Sequence, residues 1–72
     1  MKQHTETLID EKGFELMVSY NIYKGQVNEI ISVELVIKGR GIEILPALTS
    51  RQLGHIADEL TPEEIEEIQE QE

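Results

Sequence analysis

The sequence predicts an α+β fold, a four-stranded antiparallel β-meander packed on one face by one or two C-terminal helices. Three observations predict it. Two long stretches alternate in polarity with a period of two, the pattern of half-buried strands. Glycine-containing dipeptides between the stretches set turns that bring the apolar faces to one side. After Pro46, two segments open with the same helix-start grammar. One layer of helix on one sheet is the smallest architecture that gives a chain of 72 residues a core.

The chain reads as one domain, with the meander over residues 5–48, a core-packing helix over 49–60 and an acidic helix over 61–72 that frays at its end. A first strand runs from about Thr5 to Asp10 and turns near Lys12-Gly13. A two-residue loop there sets Ile9 opposite Leu16, and a three-residue loop sets Leu8 opposite it. The second strand, Phe14–Tyr23, carries Phe14, Leu16, Val18, Tyr20 and Ile22 on its apolar face. The third, Val27–Lys38, carries Val27, Ile31, Val33, Leu35 and Ile37, with Glu29 interrupting the face. A two-residue turn at Lys24-Gly25 sets Ile22 opposite Val27, Val18 opposite Ile31 and Leu16 opposite Val33. A second turn at Gly39-Arg40, of type II′ with glycine first, sets Ile37 opposite Ile42 and Leu35 opposite Ile44. The fourth strand, Ile42–Leu45, stops at Pro46, which has no N–H to donate.

Thr49-Ser50-Arg51-Gln52 forms a capping box, stapled by Leu48 and Leu53. The helix it starts bears a stripe at Leu53, Ile56, Ala57 and Leu60, which covers the sheet. Thr61-Pro62-Glu63-Glu64 starts a second helix, stapled by Leu60 and Ile65. Only Ile65 and Ile68 anchor it, and its glutamates repel one another at i, i+4.

Charge is distributed unevenly. Residues 58–72 hold eight acids and no base, whereas the first 57 hold seven acids and six bases. The net charge of −9 opposes direct binding to nucleic acid phosphates or anionic lipid. No apolar run spans a bilayer and the N-terminus lacks a signal peptide's apolar core. The absence of cysteine removes disulfides and thiolate metal sites and agrees with a cytoplasmic location.

Catalytic and cofactor motifs are not present in the pattern of residues. Gly39-Arg40-Gly41 belongs to a hairpin, not to a phosphate-binding strand-to-helix loop. His4 and His55 lack metal-ligand spacing, and the glutamate run lacks the central glycine of a calcium loop. Phe14, Tyr20 and Tyr23 make no base-stacking platform. The sequence therefore predicts no enzyme, no cofactor and no metal. Two surfaces stand out for partner binding. One is the acidic helix with Glu63, Glu64, Glu66, Glu67 and Glu70. The other is the open sheet face, to which the predicted registers assign Met17, Ile30, Val36 and Leu45, with Leu8 or Ile9 depending on the register of the first strand.

The run Gly41–Thr49 followed by Leu60–Ile68 resembles the C-terminal halves of small acidic accessory proteins encoded by bacteriophages and prophages. The resemblance covers roughly the last thirty residues and rests on a short strand leading to a helix rich in Glu and Ile. It implies an intracellular accessory protein and supplies no functional residues. The expected function is a non-enzymatic protein–protein interaction module that acts through the acidic C-terminal helix or the open sheet face, with a basic protein as partner in one version. A structural homo-oligomer is the alternative. An acidic, nucleic-acid-mimicking inhibitor of a basic protein is the lesser one.

Overall fold

The computed structural model describes residues 2–62. Four antiparallel strands lie in the order β1-β2-β3-β4. They are β1 (Lys2–Ile9), β2 (Glu15–Tyr23), β3 (Gln26–Ile37) and β4 (Arg40–Glu43). A 3₁₀ turn (Leu45–Ala47) leads to the helix α1 (Ser50–Glu59), which packs on one face of the sheet. The α+β meander predicted from the sequence is thus present. The acidic helix predicted over 61–72 lies, from residue 63 onward, outside the described residues.

The three turns explain the strand registers. Between β1 and β2 the loop has three residues, Glu11-Lys12-Gly13, and Leu8 faces Leu16. The Asp10 carboxylate accepts the backbone N–H groups of Lys12 (2.9 Å) and Phe14 (2.8 Å), and Gly13 takes the left-handed conformation at φ +86°. The other two hairpins are both Lys-Gly turns. Lys24 and Gly25 have φ of +52° and +75°, and Lys38 and Gly39 have +51° and +80°. Two successive left-handed residues make a type I′ turn, whose twist matches that of the flanking strands. The second turn is therefore Lys38-Gly39, not the type II′ Gly39-Arg40 expected. Ile42 consequently faces Leu35, and Arg40 faces Ile37. The slip of two residues leaves each side chain on its expected face.

The β2–β3 register departs from the expected one for a different reason. Tyr23 opposite Gln26 and Ile22 opposite Val27 are as predicted. The pairing then shifts between Asn21 and Ile22 and again between Ser19 and Tyr20. Asn28 and Ile31 are the extra residues, and each such β-bulge reverses the alternation of faces in β3. Tyr20 therefore pairs with Ile30, Val18 with Val33 and Leu16 with Leu35. Ile30, assigned to the open face, instead packs against the core, and Ile31, assigned to the core, is exposed. Glu29 moves to the open face, which relieves its interruption of the apolar stripe.

The core comprises Leu16, Val18, Tyr20 and Ile22 from β2, Val33 from β3, and Ile56 and Leu60 from the helical segment. β2 supplies most of it because β1 and β3 flank nearly its whole length, whereas β4 flanks only Glu34–Ile37 of β3. β4 stops at Glu43, two residues earlier than predicted, because Ile44 turns to ψ 0° and Pro46 permits only the 3₁₀ turn. Leu45, assigned to the open sheet face, lies in that turn and packs against the core.

The predicted capping box is present. Thr49 Oγ1 accepts the Gln52 N–H at 3.2 Å, and Gln52 Oε1 accepts the Thr49 N–H at 2.8 Å. Leu60 closes the helix in an extended conformation, its N–H returning to the Ala57 carbonyl at 3.2 Å. Thr49→Ala is expected to cost about 1 kcal/mol of stability, since it strips the acceptor of one orphan N–H. Urea denaturation checks this through a lower midpoint at an unchanged slope.

Candidate functional site

Three arrangements bring polar groups together. The first joins β1 to the end of the helix. Glu6 sits on the helix-facing side of β1, opposite Val18. Its Oε1 accepts the hydroxyl hydrogens of Tyr20 (3.0 Å) and Thr61 (2.9 Å) and the Thr61 N–H (3.3 Å). Burial of the Tyr20 ring, followed by the neighbouring Glu6 carboxylate, pushes the phenol well above its ordinary range. His4 stands edge-on to the same ring, with centroids 6.0 Å apart. A phenol held this firmly protonated donates one hydrogen bond and is no proton carrier near neutral pH. The cluster ties strand to helix rather than composing a catalytic pair.

The second arrangement finishes β4. Ile44 donates to the Val33 carbonyl at 2.8 Å and then turns away. The Glu43 carboxylate accepts the Val33 N–H at 2.8 Å in place of a strand carbonyl, and also the Leu45 N–H at 3.3 Å and the Ser32 hydroxyl. These hydrogen bonds, that from Ser32 first, favour the charged form and lower the Glu43 pKa. A carboxyl with a depressed folded pKa stabilises the fold above its unfolded value of roughly 4.3 and loses that contribution as pH falls through the folded value. Glu43→Gln is therefore expected to lower the melting temperature at neutral pH. The gap from the parent should narrow as the pH drops below about 4. Melting curves from pH 7 to pH 2.5 check it, and a gap that is constant with pH would contradict this role for the charge.

The third is a shallow, open hollow of about 510 Å³, lined by Gly25–Val27 of the β2–β3 turn and by Ala57, Asp58 and Leu60–Pro62. Among the described residues Asp58 is its one charged side chain. No group of three His, Cys, Asp or Glu side chains among the described residues is placed to hold a metal ion. No helix among the described residues is long and apolar enough to cross a membrane.

The surfaces singled out in the sequence fare unequally. Glu63, Glu64, Glu66, Glu67 and Glu70 lie outside the described residues. Of the four open-face residues, Met17 and Val36 remain there, beside Glu34 and Glu15 respectively, whereas Ile30 and Leu45 turn inward. The middle of the open face is polar: Thr5 and Ser19 share a hydrogen bond of 2.9 Å, and Ser32 stands next in the same row.

Four of the well-exposed apolar residues, Ile9, Phe14, Ile37 and Ile42, lie at one end of the sheet, where the β1–β2 and β3–β4 turns lie together, whereas Tyr23 is exposed beside the β2–β3 turn at the other end and Ile31 within β3. On the helix-facing side, Phe14, Ile37 and Ile42 are 48%, 42% and 51% exposed. The alternation that buries Leu16 and Leu35 puts all three on this side, but α1 has ten residues and covers the other end. On the opposite side, Ile9 is 60% exposed, with Met17 and Val36 near it. The helix-facing side of this end is thus apolar, and on the open side Ile9 and Val36 flank Glu15. The signal in the sequence was the length of β2 and β3 against a single helical stripe of four residues. Comparison with known proteins gives no matching family model, no matching curated protein and no matching solved structure.

Proposed function

We propose that this chain is a non-enzymatic protein–protein interaction module whose contact surface is the two-hairpin end of its sheet. The observation that carries the reading is the concentration there of Phe14, Ile37 and Ile42 on one side and Ile9 on the other, all well exposed. Scattered surface apolars are ordinary, but several at one end of so small a sheet support a protein contact. Lys38 and Arg40 at its rim supply polar edges of the kind that surround apolar interface centres. The polar clusters described above satisfy one another internally, which favours binding over catalysis.

Site-specific photo-crosslinking in the host cell tests the reading. A crosslinker at Ile42 is expected to capture a protein, and the same probe at Glu29, on the open face toward the other end, is not. Equal capture from both positions, or none from Ile42, would overturn it.

A further inference from the structure

The described chain ends at Pro62, beside Gly25 and Val27 of the β2–β3 turn. The uncovered apolar end lies at the opposite end of the sheet. Residues Val27 to Ile37 of β3 separate the two, about 30 Å at the strand rise once the two bulges are allowed for. The remaining ten residues, 63–72, contain six glutamates together with Ile65 and Ile68. Their composition complements the uncovered end, where Phe14, Ile37 and Ile42 are flanked by Lys12, Lys38 and Arg40. These are half of the chain's six bases, and none has an ion-pair partner among the described residues. Of the acids in the same two turns, Asp10 is held by its own turn and Glu11 is the other.

Resting on the reading above, which makes this end a contact surface, we propose that its occupant is the acidic segment 63–72 of a second copy of the chain. Ile65 and Ile68 meet Phe14, Ile37 and Ile42, and the glutamates meet Lys38 and Arg40. Reach favours a second copy over the chain's own segment. Ile65 and Ile68 follow Pro62 by only three and six residues, a reach of at most about 11 and 22 Å however the chain runs, short of the roughly 30 Å to its own patch. Two copies laid antiparallel bring each Pro62 end beside the partner's apolar end. One twofold axis then makes both contacts at once, as an isologous dimer requires.

Sedimentation equilibrium of the full chain tests this. A dimer is expected whose dissociation constant rises with ionic strength, because the rim charges are screened. K38E/R40E and E66K/E67K should each weaken the dimer more than about tenfold, since each sets like charges against each other. An equimolar mixture of the two variants should restore it, because both contacts become complementary again. A parent chain that stays monomeric at millimolar concentration would overturn the proposal. So would a dimer indifferent to both reversals, which would place the contact elsewhere. A monomer whose melting temperature falls with K38E/R40E would assign the patch to the chain's own segment and overturn it as well. The broader reading fails separately, through the absence of any product from the Ile42 crosslinker.

Discussion

Ile22→Ala is expected to lower the free energy of unfolding by about 2–5 kcal/mol, and Ile31→Ala by less than about 1 kcal/mol. Ile22 is fully buried at the end of β2, between Val27 of β3 and Lys2 of β1. Removing its outer carbons leaves a cavity under the helix segment that a small core cannot collapse to fill. A domain of this size has only about 4–11 kcal/mol of stability, so the loss is a large share of the whole. Ile31 is the same residue type in the next strand, but the bulge turns it to solvent at 40% exposure. Ile30→Ala should cost more than Ile31→Ala for the same reason. Urea titration of the three variants reads these differences directly. A larger loss at Ile31 than at Ile30 would mean that β3 alternates without bulges and would refute the register.

That pair of isoleucines also marks how far the sequence could be read. The meander, the Lys24-Gly25 turn, the Thr49–Gln52 capping box and the helix stripe were all legible. Each depends on residues close in sequence, or on a period that a strand or helix imposes on its own side chains. The bulges were not legible by alternation alone, because an unbroken period of two has no place for an extra residue. Glu29 on the apolar face was the trace they left. A charged residue among Val27, Ile31 and Val33 is costly to bury, and two bulges remove the cost. The second turn was missed by taking glycine first. The repeated Lys-Gly dipeptide carried the better signal, since one turn type serves both hairpins.

The candidate surface was hidden for a related reason. Phe14, Ile37 and Ile42 lie on the face read as core, and a face pattern does not say how much of a face the helix will cover. Coverage is a matter of length. A helix of ten residues rises about 15 Å, whereas the twelve residues of β3 extend more than twice as far. The helix-facing side therefore stays open at its far end, at Phe14, Ile37 and Ile42. The open sheet face lost Ile30 and Leu45 to the core, while Ile31 turned out to solvent. The more prominent apolar exposure is on the helix-facing side of one sheet end, at Phe14, Ile37 and Ile42.

Glu6→Ala carries the second large effect, an expected loss of about 1–3 kcal/mol, because it leaves the buried Tyr20 hydroxyl without its acceptor. No local pattern pointed to Glu6. An acid on the helix-facing side of a strand conflicts with a purely apolar face, and its partners lie 14 and 55 residues away in sequence. The carboxylate accepts from Tyr20 and Thr61 with a single oxygen, so β1, β2 and the segment leaving α1 meet at one atom. Tyr20→Phe removes the donor together with its need for an acceptor and should cost less than Glu6→Ala. The Glu6→Ala/Tyr20→Phe double variant should therefore be less destabilised than the two single losses added together. Alkaline titration supplies an independent measure. Because the folded Tyr20 pKa is raised, its contribution is complete below the unfolded value of about 10 and declines as the pH rises past it. The parent should lose stability above pH 10 more steeply than Tyr20→Phe. Parallel slopes would separate the hydroxyl from the carboxylate and break the tie proposed between β1 and the helix end.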